Sequence, residues 1–414
     1  MMSELLQKAA LLKEASFDMA MKSTAQKDEA LLLIADALIE QTPHILAANE
    51  QDMAAGRQAG FTDSLLDRLQ LTEERLAAMA DAVRQLTKLN DPIGEIVESW
   101  TTEHGLQIET IRVPLGVVGM VYEARPNVTV DAATLCLKAG NAVFLRGSTS
   151  ALQSNKALVA VMKRALEQST LPGDALQLLE DTSRSTAAEM FKLNEYLDVL
   201  IPRGGAGLIQ SVIEQSTVPV LETGVGNCHI FIDESAQKEM GIRIALNAKT
   251  HRPSVCNAAE SLLVHRNWPY QRELFASLQE AGVEVRGDHT LSGSYDFVKE
   301  ASEEDWGQEY LAMTLSAKLV DGTKEAVSHI NRYGTKHSEA IVTEDDQNAD
   351  LFFRGIDAAV LYRNASTRFT DGEQFGYGAE IGISTQKLHA RGPMGLTAIT
   401  TVKSLVRGSG QIRQ

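Results

Sequence analysis

The chain has 414 residues, 44% of them hydrophobic and 23% charged, with 39 Lys plus Arg against 55 Asp plus Glu for a formal charge of −16. That length exceeds what one hydrophobic core serves, so a globular protein of two or three domains is expected. The acidic balance argues against nucleic acid or an anionic membrane as partner, and no stretch approaches the roughly 18 apolar residues of a membrane helix.

Three cysteines, Cys136, Cys228 and Cys256, form no CxxC pair. An odd, scattered set disfavours both a disulfide framework and a thiolate zinc site. His251, His329 and His337 lack metal-ligand spacing, so no metal is expected. The first residues carry no basic region leading into an apolar core and a small-residue cleavage site, which predicts a cytoplasmic protein.

Residues 3 to about 93 read as helical, with Leu5, Ala9, Leu12 and later Ala30, Leu31, Ile34, Ala35 and Leu38 at three- and four-residue spacings. Thr72-Glu73-Glu74 has the form of a capped, acid-rich first turn. From Leu106 to Val113 apolar and polar residues alternate, as in a ribbon at a domain edge or subunit contact. Four apolar strands follow, over 116–122, 142–146, 176–179 and 199–202, separated by stretches long enough for helical crossovers. That order predicts a doubly wound parallel sheet with a nucleotide at its strand C-terminal ends.

A second alternation begins near Val218, with strands expected at 218–221, 229–232, 261–264, 317–320, 339–342 and 358–361. Helices near 238–249, 268–281 and 323–330 lie between them. A glycine-rich return from Phe375 to Gly395 leads to a strand over 398–406 that suits the earlier ribbon. The expected organisation is α/β throughout. Residues 1–228 form a cofactor domain with 97–113 in the ribbon, 229–362 a catalytic domain, and 363–414 a return segment and oligomerisation strand.

Cys256 is the leading candidate nucleophile. It sits in His251-Arg252-Pro253-Ser254-Val255-Cys256-Asn257, a polar, proline-interrupted run just before a strand. A thiol needs local help to ionise, and backbone N–H groups of such a turn supply it. Attack on an acyl carbon creates an oxyanion, for which the Cys256 N–H and the Asn127 amide are candidate donors. An N-cap or Asx-turn role for Asn127 is equally open.

Gly204, Gly205 and Gly207 either make a tight strand-to-helix turn or let a diphosphate approach backbone N–H groups. Arg146, Ser148 and Thr149 follow a strand with no carboxylate among them, which favours a 2′-phosphate and therefore NADPH over NADH. Glu222, at a glycine-rich strand end, is a candidate for positioning water, relaying protons or bonding to backbone. Arg363, Arg368 and Arg391 are candidates for an anionic substrate or for surface ion pairs. Arg391 and His337 are singled out as substrate contacts.

These motifs resemble the aldehyde dehydrogenase superfamily and, within it, its gamma-glutamyl phosphate reductase branch. The run 252–260, the stretch from Ala326 to Ile341 and the tail Arg368-Phe369-Thr370-Asp371-Gly372 through Gly382 carry the likeness. The resemblance implies that Cys256 is the catalytic cysteine, Asn127 the oxyanion donor, Arg146 a cofactor contact and Glu309 a contact to the nicotinamide ribose. Glu222 falls at the general base of hydrolytic members; activated water would waste an acyl-enzyme, so it is assigned to the cofactor site instead. The implied activity is NADPH-dependent reduction of L-glutamate 5-phosphate in proline biosynthesis, by a homo-oligomer with glutamate 5-kinase as a possible contact. A hydrolytic NAD-linked dehydrogenase and a non-catalytic scaffold are the alternatives.

Overall fold

The computed structural model describes residues 3–413 and divides into two compact units. Of the described residues, the first comprises 3–222, 376–382 and 394–413; the second comprises 223–375 and 383–393. The division falls after Glu222, six residues earlier than the expected boundary.

In the first unit five helices, Glu4–Met19, Thr24–Glu40, Thr42–Gln58, Asp63–Leu69 and Glu73–Leu86, follow one another. Four of these starts carry a side-chain cap, of which the one at Thr72 is expected from the sequence. Ser23 and Gln26 form a reciprocal capping box, and Thr72 Oγ1 accepts from the Arg75 N–H. Apolar stripes on these helices bury Leu12, Leu31, Ile34, Leu38, Leu76 and Val83 completely or nearly so.

The parallel sheet has the order 176–178, 142–146, 117–122, 199–203. Every residue of Val117–Tyr122 is buried, as expected of a central strand covered on both faces. The strand expected over 218–221 is a single bridge, Leu200 to Val220, so that segment extends the first sheet and does not open the second. Pro219 accounts for this, since it has no N–H to give a ladder.

Ile96–Thr101, Gln107–Pro114 and Thr400–Arg407 make the antiparallel ribbon in the order anticipated, with Thr401 opposite Val113 and Ser404 opposite Thr110. Ile96, Trp100, Val402 and Val406 are exposed on it. Among the described residues no single helix is long and apolar enough to cross a membrane.

The second unit is built on seven parallel strands in the order 299–300, 284–287, 314–320, 259–265, 228–232, 338–342, 360–363. Five were expected; the last begins two residues later than expected, and Glu284–Gly287 was missed because its alternation spans only four residues. Trp268, Phe275, Leu262, Val264 and Ile230 fill one face of this sheet, while Phe231, Leu263, Ile341 and Phe352 fill the other. Cys228 opens one central strand, and Cys256 lies three residues before its neighbour, Ala259–His265.

Candidate functional site

The Cys256 segment follows the helix Lys238–Thr250 and leaves the thiol half-buried and outside any disulfide. Close backbone approach fixes it. A Cβ on Gly226 would lie 1.5 Å from the Cys256 carbonyl oxygen, so only glycine fits there. The Gly226 N–H donates to Glu309 Oε1 at 2.6 Å, tying the glycine strap in turn. The next residue, Asn257, donates from Nδ2 to the Thr370 carbonyl at 2.7 Å and accepts at its own carbonyl from Thr367 Oγ1, also at 2.7 Å. The segment carrying the thiol is thus held by the close backbone approach of Gly226 on one side and by the Asn257 and Thr367 side chains on the other.

Below it, Cys228 is fully buried, and its Sγ–H donates to the Cys256 carbonyl at 3.2 Å. Burial, followed by the Glu339 charge, pushes the Cys228 thiol well above its ordinary range, so it supports the loop as a protonated donor. His337 is also fully buried, with Nδ1 2.8 Å from Ser338 Oγ and 3.6 Å from Cys228 Sγ. His337, expected as a substrate contact, is buried here against Cys228 and Ser338, beneath the thiol loop.

Near Cys256 lies an ion pair with both side chains wholly buried, Lys249 Nζ to Glu260 Oε2 at 2.6 Å. Glu260 Oε1 also accepts the Leu311 N–H. Burial pushes Glu260 up to about 7 and draws Lys249 down, and each is pulled back by the charge of the other. Glu309 is likewise pushed up by burial, against the Gly226 N–H and the Lys249 charge that favour its ionised form.

Three arginines were alike in sequence and differ in the fold. Arg363 pairs with Asp346 at 2.6 Å. Arg391 pairs with Asp357 at 2.7 Å, where Lys387 is a further partner at 2.5 Å; these two cations hold Asp357 at about 2. The charge assigned to substrate at Arg391 is therefore already taken by Asp357. Arg368 is half-buried, and its Nε has no hydrogen-bond partner.

The first unit carries the other candidates. Arg146 ends a strand and donates from Nη2 to the Thr182 carbonyl at 2.6 Å, while its buried Nε has no partner. Burial lowers its pKa and the Asp181 carboxylate raises it. Asp181 belongs to a different strand end, so the site does contain an acid that the 146–149 run alone does not reveal. Thr149 Oγ1 donates to Thr182 Oγ1 at 2.8 Å, and Ser148 Oγ lies 2.6 Å from Ser150 Oγ.

The glycine cluster opens the helix Ala206–Gln215. Gly205 N–H donates to Glu123 Oε2 at 3.0 Å, and a Cβ on Gly204 would come within 2.7 Å of that carboxylate. A Cβ on Gly207 would meet nothing within 4 Å, so packing alone does not require glycine there. Asn127 sits in the first turn of Pro126–Lys138 and is exposed, with Nδ2 3.2 Å from Asp131 Oδ2. It is inside the helix, so the N-cap alternative falls away. Glu222 is half-buried in the irregular segment ending this unit.

Two units with parallel sheets, one carrying a strapped thiol and the other a glycine-led helix start and, at another strand end, an arginine with an unbonded Nε, have the make-up of an α/β enzyme of the aldehyde dehydrogenase kind. The model of the aldehyde dehydrogenase family matches residues 4–297. A gamma-glutamyl phosphate reductase of Geobacillus sp. (strain WCH70) is 68% identical over 412 residues, covering 100% of both chains. One from Bacillus cereus (strain AH187) is 58% identical, again over 100% of both. The crystal structure of gamma-glutamyl phosphate reductase from Thermotoga maritima superposes with a TM-score of 0.98 at 47% identity, covering 100% of each chain. An acetylating aldehyde dehydrogenase from Geobacillus thermoglucosidasius shares the fold, with a TM-score of 0.71 at 17% identity, covering 99% of this chain and 98% of that one. The chain therefore belongs to the aldehyde dehydrogenase superfamily and, within it, to the gamma-glutamyl phosphate reductase family.

Proposed function

We propose that the chain reduces L-glutamate 5-phosphate to L-glutamate 5-semialdehyde and phosphate, in proline biosynthesis, through a thioester on Cys256. The observation that carries this reading is the half-buried thiol held by Gly226 and Asn257, with the full-length likeness to the reductases beside it.

The thiolate of Cys256 attacks the acyl carbon; a C–S bond forms as the C–O bond to phosphate breaks, and the electron pair leaves on the phosphate oxygen. Phosphate is a good leaving group, so this step needs no strong acid. The oxyanion is met by the Cys256 N–H and, as part of this proposal, by the exposed Asn127 amide. The nicotinamide, when bound, supplies the hydride that reduces the thioester carbonyl. Collapse of the resulting thiohemiacetal releases the aldehyde and restores the thiolate, with one proton lost from the hydroxyl. Glu222 is given no role as a base, since activated water would hydrolyse the thioester.

The residues in the first unit fit a dinucleotide. Arg146 has a buried Nε without a partner, and the Gly205 N–H at the helix start is held by a carboxylate that a phosphate oxygen can replace. Arg146, Ser148, Thr149, Gly204, Gly205 and Gly207 are proposed to hold it, with Glu222 and Glu309 as further contacts. NADPH is the proposed cofactor on the strength of Arg146; Asp181 works against a 2′-phosphate, so this choice rests on a balance of two charges. The exposed apolar ribbon suits a second copy of the chain, and a cytoplasmic setting beside glutamate 5-kinase suits a labile acyl phosphate.

The test is oxidation of glutamate 5-semialdehyde with and without phosphate, using NADP and then NAD. Strict phosphate dependence with a preference for NADP is expected. Phosphate-independent oxidation would instead favour the hydrolytic dehydrogenase, and a preference for NAD would overturn the cofactor assignment.

A further inference from the structure

The turn Thr367–Phe369 is fastened to the nucleophile's neighbour at both ends. Thr367 Oγ1 bonds to the Asn257 carbonyl and the Thr370 carbonyl to Asn257 Nδ2. Thr370 Oγ1 is itself held at 2.7 Å from Ser338 Oγ and 2.8 Å from Tyr362 OH. Arg368 lies between these anchors, so the backbone that carries it is as fixed relative to Cys256 as any in the unit.

Its side chain differs from those of Arg363 and Arg391, each of which is paired with a carboxylate. The Nε of all three is buried and unbonded, so the lack of a carboxylate partner is what sets Arg368 apart. Burial, and then the like charge of Arg252, lower the pKa of its guanidinium, while the Asp371 carboxylate raises it. Arg252 is exposed and stands four residues before the nucleophile. Asp371, the one carboxylate among these groups, uses Oδ1 to accept the Glu373 N–H at 2.9 Å. In a chain of net charge −16, Arg368, on a turn fastened to the nucleophile's neighbour, and Arg252, four residues before the nucleophile, have no ion-pair partner among the described residues.

Two like charges brought near one another repel until an anion joins them. Paired guanidinium groups match a phosphoryl dianion in charge and in hydrogen-bond geometry. We infer that Arg368, with Arg252 beside it, forms the subsite for the phosphoryl group of the acyl phosphate, holding its oxygens while the C–O bond breaks. In the reverse direction the same pair presents inorganic phosphate to the thioester. This rests on the proposed function, since the anion it binds is that reaction's leaving group.

The test uses the full-length protein in the oxidative direction, with initial rates measured against inorganic phosphate, semialdehyde and NADP separately for the wild type, R368Q, R368K and R252Q. R368Q is expected to raise the KM for phosphate about 10- to 100-fold, the range of a lost charge-assisted bond. Its KM values for semialdehyde and NADP should stay within about 3-fold, and R368K should recover part of the loss. R252Q, at an exposed position, should give a smaller rise in the same constant and serves if R368Q does not fold. Phosphate should also slow alkylation of Cys256 in the wild type and not in R368Q.

An unchanged KM for phosphate in a folded R368Q, or a rise confined to semialdehyde, overturns the subsite, the latter by marking a carboxylate site instead. The wild type distinguishes the two levels of failure. If its rate ignores phosphate, the proposed function itself falls; if it depends on phosphate and the variants do not alter that dependence, only the subsite falls.

Discussion

The two halves of the candidate machinery are built on opposite physical plans. In the first unit the groups offered to a cofactor are held by exchangeable hydrogen bonds: Glu123 on the Gly205 N–H and the Thr182 carbonyl on Arg146. A ligand can exchange with such partners at modest cost, because one charge-assisted bond is traded for another. In the second unit the thiol loop is held by backbone contacts with no slack, above all the Cβ-less approach of Gly226 to the Cys256 carbonyl. Binding is left adjustable there only at the side chains of Arg252 and Arg368. A nucleophile must stay within a few tenths of an ångström of its working position, whereas a dinucleotide must arrive and leave in each cycle.

The sharpest way to break this contrast is a pair of glycine substitutions. Gly226→Ala sets a methyl 1.5 Å from a backbone oxygen that cannot swing away. It should destabilise the protein by about 3 kcal/mol or more and abolish most turnover in whatever folds. Gly207→Ala in the first unit meets nothing within 4 Å, lies inside a helix, and should be neutral or stabilising by up to ~1 kcal/mol. Urea unfolding of both variants decides the matter. Similar losses at the two positions would remove the distinction between the units.

The next largest effect concerns the buried pair near the thiol. Lys249→Met leaves the Glu260 carboxylate without its cation in a site where both side chains are wholly buried. A loss of roughly 3 kcal/mol is expected. Because the lone acid then favours its neutral form, the variant should lose stability as pH rises from 6 to 8. A variant with the wild-type pH profile would show that the pair is not coupled.

A smaller, graded effect comes from His329, buried among Trp306, Tyr333 and His229 with ring centroids 5.6, 4.7 and 5.7 Å away. Burial, and then the His229 charge, lower its pKa to about 3. The unfolded chain therefore takes up a proton at this residue first on acidification. The stability it contributes is complete above about pH 6.5 and is lost as pH falls towards 3, with a slope of up to ~1.4 kcal/mol per pH unit. His329→Phe should flatten this part of the curve in melts between pH 7 and 5, and an unaltered slope would place the acid sensitivity elsewhere.

Local patterning made most of the fold legible. The helical character of the N-terminal region follows from its apolar spacing and the Thr72 cap, and the central strands from unbroken apolar runs such as Val117–Tyr122. The bridge at Val220 was misread because an apolar Val-Pro-Val-Leu run looks like a strand, and only its partner Leu200 reveals which sheet it joins.

At the site, Cys256 stood out through its flanking motif, but the residues that hold it did not. Gly226 passes for one more turn glycine until the Cys256 carbonyl is seen against it. Glu123 bonds to a residue 82 positions away, and Asp181 reaches Arg146 from another strand end. Arg363, Arg368 and Arg391 are equivalent as letters, and the pairing of Arg363 with Asp346 and of Arg391 with Asp357 is what separates Arg368 from the other two.

The central claim is most directly tested by mixing the protein anaerobically with glutamyl phosphate and no cofactor, then following phosphate release and the mass of the Cys256 peptide. A burst of about one phosphate per active chain, with a glutamyl adduct on Cys256 that is absent in Cys256→Ser, is the predicted result. Phosphate release without any adduct, or a Cys256→Ser protein that turns over normally with NADPH, would contradict it.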